Sequence, residues 1–345
     1  MKELTGLSDV KNVEVMEDRQ FHSATHEEIK SGKTTDIYFL RTLDILQDLK
    51  LDDVIVTAEI FPRKPGMLAG LEEALNMLKG KNLEVWAVDE GETFEPKETV
   101  LRITGPYKEF AIFETPLLGT LASASGWATA ASQVKEACGD KGFLCFGARH
   151  LHPSVAPVME KAAVLGGATG ASCILAAKIM DIVPSGTIPH SAMLMAGDTA
   201  IIAEAYDRIT PVEHKRIILI DTFKDEVEEA IRMADLLGDK LYGVRVDTPA
   251  ERGGVTPGLV REMRYKLDAA GYKHVKIIVS GGLTPERIVA LSEAGADSFG
   301  VGSYISAASP IDMTMDLKIV NGKAVAKRGR IPGLIENPKL KKVTL

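Results

Sequence analysis

The stretch Val275–Ser303, VKIIVSGGLTPERIVALSEAGADSFGVGS, carries the reading of the fold. It opens on an almost wholly apolar run, Val275–Val279, and breaks at Ser280-Gly281-Gly282. A helix starts at Thr284-Pro285-Glu286, and a second apolar run, Asp297–Val301, then breaks at Gly302-Ser303. Short runs that are apolar throughout, each followed by polar or glycine residues and then a helical stretch, are strands of a parallel sheet buried on both faces.

The same pattern recurs upstream at Phe143–Phe146, Ile217–Ile220 and Leu241–Val246, with helices expected over Lys224–Leu237 and Pro257–Ala270. Several such units in series favour a (β/α) barrel over an open sheet, although periodicity alone leaves closure undecided. The first third is different. Strand-like runs at Val54–Ile60, Leu83–Val88 and Val100–Thr104 surround one helix, Leu68–Lys79, and read as a small α+β layer. From about Thr115 to Ala137 the chain is a helix rich in Ala and Ser, a connector near which the domain boundary is placed: 1–116, then 117–311. Asn321-Gly322 has the turn chemistry of a hairpin between Asp312–Val320 and Ala324–Lys327. That hairpin belongs to no βα unit, so it is expected to return to the first domain, with 312–345 completing it.

The chain has 345 residues, 45% hydrophobic and 26% charged, with a net charge of −7. This balance argues against a broad nucleic-acid-binding surface, so an anionic substrate needs a local cluster of positive charge and backbone N–H groups. Cys138, Cys145 and Cys173 have no C-x-x-C spacing and an odd count, which argues against zinc or a disulfide framework. The start lacks an apolar h-region and no apolar run reaches spanning length. A cytoplasmic protein that binds neither membrane nor metal cluster is the expectation.

Chemistry in such folds sits at the carboxyl ends of the strands. Ser280-Gly281-Gly282 and Gly300-Val301-Gly302-Ser303 present unshielded N–H groups and lead towards helix N-termini. Either alone is also explained as a tight turn; as a pair they read as a phosphomonoester site. Arg149 and Arg245 at strand ends each need an anion or a carboxylate, and for either alone a structural ion pair suffices. Asp221 and Asp247 fit Mg²⁺ held through water, or pairing with those arginines. His190, set by Gly186 and Pro189 and followed by Ser191, is either a surface loop histidine or a nucleophile that accepts a phosphoryl group. Asp36, Tyr38 and Arg41 are odd core choices, which suggests an edge element lending an aromatic ring and an arginine to a site.

Taken in order, these segments resemble the nicotinate phosphoribosyltransferase family. The resemblance rests on T-D-x-Y-F-x-R-T (Thr35–Thr42), F-G-x-R (Phe146–Arg149), G-T-x-x-H-S (Gly186–Ser191), D-T (Asp221-Thr222) and G-V-R-x-D (Gly243–Asp247). It continues through the S-G-G turn, the G-V-G-[ST] turn and G-K-x-V-A-K (Gly322–Lys327). It implies a small N-terminal α+β domain and an incomplete (β/α) barrel, in a homodimer with shared active sites. Nicotinate and phosphoribosyl pyrophosphate would be the substrates, with Mg²⁺ as cofactor and ATP as co-substrate. Phe146 and the partner's Tyr38 would sandwich the pyridine ring. Arg149, with Ser191, would meet its carboxylate, and Ser280, Gly281, Gly282, Gly300, Gly302 and Ser303 would cradle the 5′-phosphate. Arg41, Arg245 and Asp247 would lie near the pyrophosphate and Mg²⁺, and His190 would be phosphorylated by ATP. Where many relatives carry a second arginine, this chain has His150, with His152 two residues on. A quinolinate phosphoribosyltransferase, a nicotinamide-specific enzyme and a non-catalytic phosphate-ligand-binding regulator are the alternatives.

Overall fold

The computed structural model describes residues 2–345. The chain forms two compact units, one from its start to Thr129 together with Ser309–Leu345, the other Ala130–Ala308. The break falls inside a helix, Glu114–Cys138, whose first turn is where the sequence reading placed it.

The first unit is built on a six-stranded antiparallel sheet in the order Lys323–Ala324, Met313–Val320, Ile55–Pro62, Leu101–Pro106, Glu84–Ala87, Lys341–Val343. Alternation decides which face is buried: Leu101 and Ile103 are inside while Arg102 and Thr104 between them are partly exposed. The returning hairpin turns at Asn321 and Gly322, with φ of 47° and 73°, and its long strand pairs with Ile55–Pro62. The C-terminal segment therefore completes this sheet. The helix expected from Leu68 starts only at Leu71, because Gly70 before it is left-handed with φ 84°. Thr35–Thr42 enters the helix Ile37–Asp48, which buries Phe39, Leu40 and Leu43 and leaves Tyr38 and Arg41 exposed. In the long helix a small residue is required at Gly126, where a Cβ would lie 2.5 Å from the Ser309 carbonyl oxygen.

The second unit holds a five-stranded parallel sheet: β1 Gly142–Cys145, β2 Arg216–Leu219, β3 Leu241–Val246, β4 Lys276–Ser280 and β5 Ser298–Val301, ordered β1-β5-β4-β3-β2. All four pairings are parallel, and an isolated parallel bridge, Cys145 to Ala171, lies beyond β1. Phe143, Val244, Val246, Ile277, Val279, Phe299 and Val301 are buried, as strands covered on both faces require. The helices Glu226–Leu237, Pro257–Ala269 and Pro285–Glu293 each start at a side-chain cap, from Asp225, Thr256 and Thr284. The segment Pro184–Pro189 does not end a strand: four helices, not a regular βα unit, fill the chain between β1 and β2. Parallel strands place Phe146, Asp221, Asp247, Gly281 and Gly302 at one end of the sheet.

Candidate functional site

That end opens into a cavity of about 480 Å³, lined among others by Phe146, Arg149, His150, Thr187, Arg245, Asp247, Ser280–Gly282, Gly300, Gly302 and Ser303. The Phe146 N–H donates to the Val301 carbonyl at 2.8 Å, which fixes the residue at the end of β5. Its ring lies over Gly300, where a Cβ would come within 2.5 Å of the Phe146 Cδ2. Glycine at 300 is thus a space requirement of the aromatic wall as well as part of a turn.

Arg245 is the hub of the floor. Its Nε donates to Ser280 Oγ at 2.9 Å, Nη1 to Thr187 Oγ1 at 2.9 Å and Nη2 to Asp247 Oδ2 at 2.8 Å. Ser280 Oγ in turn donates to Asp247 Oδ1 at 2.9 Å. The guanidinium also sits 5.4 Å from the centre of the Phe146 ring. Every arm of this fork is occupied, so Arg245 ties three strand ends and the Pro184–Pro189 segment together. That segment is held at a second point by Ser185 N–H to the Ala171 carbonyl at 2.9 Å.

Arg149 is different. It lines the cavity, is exposed and has no hydrogen bond or ion pair among the described residues. Of the two arginines at strand ends, one is internally paired and the other is open to a ligand.

Gly281 and Gly282 have φ of 93° and 56°, a left-handed pair that only glycine adopts without strain. Arg287, one turn into the following helix, donates to their carbonyls at 3.3 and 2.8 Å and to the Val255 carbonyl at 3.1 Å. With the carbonyls drawn outward, the turn is held in one conformation. Pro285–Glu293 supplies a nine-residue helix behind it, whereas the turn at Gly302 leads only into Ser303–Ser306. Four residues sum too few peptide dipoles to matter. At this second turn the N–H groups, rather than a helix dipole, are the anion-binding feature.

His190 begins the helix His190–Ala196, and its Nε2 lies 3.1 Å from Asp221 Oδ1. The Asp221 side chain is fully buried and its other oxygen has no hydrogen-bond partner. Burial pushes the Asp221 carboxyl above its usual range, and His190 beside it opposes the shift. His190, Ser191 and Asp221 are not among the residues that line the cavity, although Gly186, Thr187 and Pro189 are. Tyr38 and Arg41 belong to the first unit and do not line it either. Thr187, Ser172, Ser306 and Arg287 were not singled out from sequence. Thr187 sits within the G-T-x-x-H-S element, and the others carry no local signal. Burial pushes the Cys145 thiol up to about 12, which disfavours the thiolate. No group of three or more metal-ligating side chains occurs among the described residues, and no helix there is long and apolar enough to cross a membrane.

Comparison with known proteins gives a consistent picture. Two family models match, the quinolinate phosphoribosyl transferase N-terminal domain over residues 36–125 and its C-terminal domain over 127–316. The solved nicotinate-nucleotide pyrophosphorylase from Pyrococcus furiosus is 42% identical, with a TM-score of 0.88 over 92% of this chain and 82% of that one. Human nicotinic acid phosphoribosyltransferase, 18% identical with a TM-score of 0.69 over 87% of this chain and 77% of that one, shares the fold. A nicotinate phosphoribosyltransferase of Mycobacterium tuberculosis is 32% identical over 74% of this chain and 56% of its own length. One from Bacillus subtilis is 30% identical over 64% and 45%. This chain spans about half the length of these curated relatives.

Proposed function

Because the chain belongs to the quinolinate phosphoribosyl transferase family, which has the type II phosphoribosyltransferase fold, we propose that it transfers phosphoribosyl groups in NAD biosynthesis and that its acceptor is nicotinate. The observation that carries the choice of acceptor is Arg149. It is the one arginine of the cavity without a protein partner among the described residues, and a single free guanidinium suits one carboxylate. Phe146 offers the flat ring a stacking face.

In this reading the pyridine nitrogen attacks the anomeric carbon of phosphoribosyl pyrophosphate, the C–N bond forms and pyrophosphate leaves through an oxocarbenium-like transition state. The nitrogen already has a lone pair, so no general base is needed. The protein positions the partners: Phe146 and Arg149 orient the acid, and the Ser280–Gly282 and Gly300–Ser303 turns hold the 5′-phosphate by N–H donors. Arg245 and Asp247 form the floor beneath the reacting carbon. Mg²⁺ would neutralise charge on the departing pyrophosphate. Asp247 and, through water, Asp221, whose second oxygen has no hydrogen-bond partner among the described residues, would hold the ion. The strand order, with β5 beside β1 and only β2 and the Ala171 bridge unpaired to one another, supports an incomplete barrel. Tyr38 and Arg41, both exposed on one helix, are available to a second copy, the basis for a homodimer.

For ATP coupling, Asp221 accepts from His190 Nε2–H, which leaves the lone pair on Nδ1. That nitrogen would attack the γ-phosphorus of ATP, forming N–P as the P–O bond to ADP breaks.

Quinolinate is the second reading, favoured by the family models and by Arg149 and His150 lying side by side as two cationic candidates for two carboxylates. Arg149→Ala tests the assignment. It is expected to raise the KM for nicotinate about 30-fold or more while leaving the KM for phosphoribosyl pyrophosphate within about threefold. An unchanged nicotinate KM overturns it.

A further inference from the structure

His150 follows Arg149 directly, but the two side chains are held differently. They lie in the 3₁₀ turn Ala148–His150, where successive side chains project about 120° apart. Arg149 has no hydrogen bond or ion pair among the described residues, while the His150 ring is anchored: Nδ1 lies 2.9 Å from Ser306 Oγ. Ser306 Oγ also lies 3.2 Å from the Gly302 carbonyl, so the Nδ1 side of the ring is fixed in orientation against the protein. Nε2 is left without a partner among the described residues, on a ring that lines the cavity. Two glycines make room for this arrangement. A Cβ at Gly302 would lie 2.8 Å from His150 Cε1, and a Cβ at Gly147 would lie 3.2 Å from Ser306 Cβ. The ring is therefore packed on the Gly302–Ser303 turn itself.

We propose that His150 is a phosphate ligand: its Nε2–H donates to the 5′-phosphate seated on the Gly302–Ser303 turn, leaving Arg149 alone with the aromatic acid. This rests on the reading of that turn as the 5′-phosphate site. The geometry assigns the residue to the sugar phosphate end rather than to a second carboxylate, which works against quinolinate as acceptor.

The test measures steady-state KM for phosphoribosyl pyrophosphate and for nicotinate, and the Kd of ribose 5-phosphate, which carries the 5′-phosphate without pyrophosphate. His150→Ala, His150→Gln and Ser306→Ala are compared with the unsubstituted full chain. His150→Ala should raise the KM for phosphoribosyl pyrophosphate and the Kd for ribose 5-phosphate about tenfold or more, with the nicotinate KM within about twofold. His150→Gln, whose amide can still donate, should recover part of the loss, and Ser306→Ala should lose about threefold by freeing the ring. A rise confined to the KM of nicotinate or quinolinate overturns the proposal, as does no change, or an equal change in all three constants. Absence of turnover by the unsubstituted chain would refute the catalytic reading instead, while the ribose 5-phosphate titration still reads His150 by itself.

Discussion

Replacing Gly300 with alanine probes the aromatic wall of the cavity from underneath. The added Cβ would sit 2.5 Å from Phe146 Cδ2 and 3.2 Å from Ser280 Cβ. Carbon atoms separate at about 3.5–4.0 Å, so the Phe146 ring must shift by roughly 1–1.5 Å. It cannot do so freely, because its N–H is bonded to the Val301 carbonyl at 2.8 Å and Arg245 lies over the ring. Overpacking of this kind costs about 1–3 kcal/mol, which in a unit of this size lowers Tm by several degrees. A stacking surface displaced by about 1 Å should lower kcat/KM for nicotinate by about 10- to 100-fold. The assay is a set of four proteins: the unsubstituted chain, Gly300→Ala, Phe146→Ala and the double variant, each measured for Tm and kcat/KM. With the ring removed the added methyl has space, so the double variant should be no less stable than Phe146→Ala alone. Normal kinetics and Tm in Gly300→Ala, or two penalties that simply add, would refute the steric argument.

Arg287→Ala should release the Gly281 and Gly282 carbonyls and raise the KM for phosphoribosyl pyrophosphate about tenfold with kcat little changed, and Arg287→Lys should recover part of it; equal loss in both constants would contradict a positioning role. His190→Ala should abolish stimulation by ATP while ATP-independent transfer persists, as read by pyrophosphate release with and without MgATP. In the first unit, burial and the neighbouring Asp316 charge push the Glu114 carboxyl up to about 7 from an ordinary 4.5. Its folded form favours the proton, so the stability it lends is complete below about pH 4.5 and lost as the pH rises through 7. Glu114→Gln should therefore gain about 1–2 kcal/mol over the unsubstituted chain at pH 8 and little at pH 4.5 in denaturant titrations, after allowance for solvent screening.

The parallel strands were legible because burial on both faces leaves an unbroken apolar run; β3 was read to the residue and the others to within one. The returning hairpin was legible from Asn321-Gly322, a pair suited to positive φ. The helical character of Thr35–Thr42 was not legible, because its alternating polar residues lie on the exposed side of a helix whose buried side, Phe39, Leu40 and Leu43, needs the rest of that helix to be seen. Arg149 and Arg245 look alike in sequence. Only three-dimensional placement beside Thr187, Ser280 and Asp247 separates the internally paired one from the free one. The same holds for Glu160, fully buried and accepting from Ser172 Oγ and Cys173 N–H at 2.6 and 2.7 Å, which shapes the cavity wall through Ser172. Such roles depend on contacts between distant residues, and no local pattern announces them.

The decisive measurement is pyrophosphate release from phosphoribosyl pyrophosphate with nicotinate, and in parallel with quinolinate while carbon dioxide is collected. Turnover with nicotinate and none with quinolinate is expected. Turnover with quinolinate alone, releasing carbon dioxide, would contradict the assignment of Arg149 to a single carboxylate and of His150 to the phosphate.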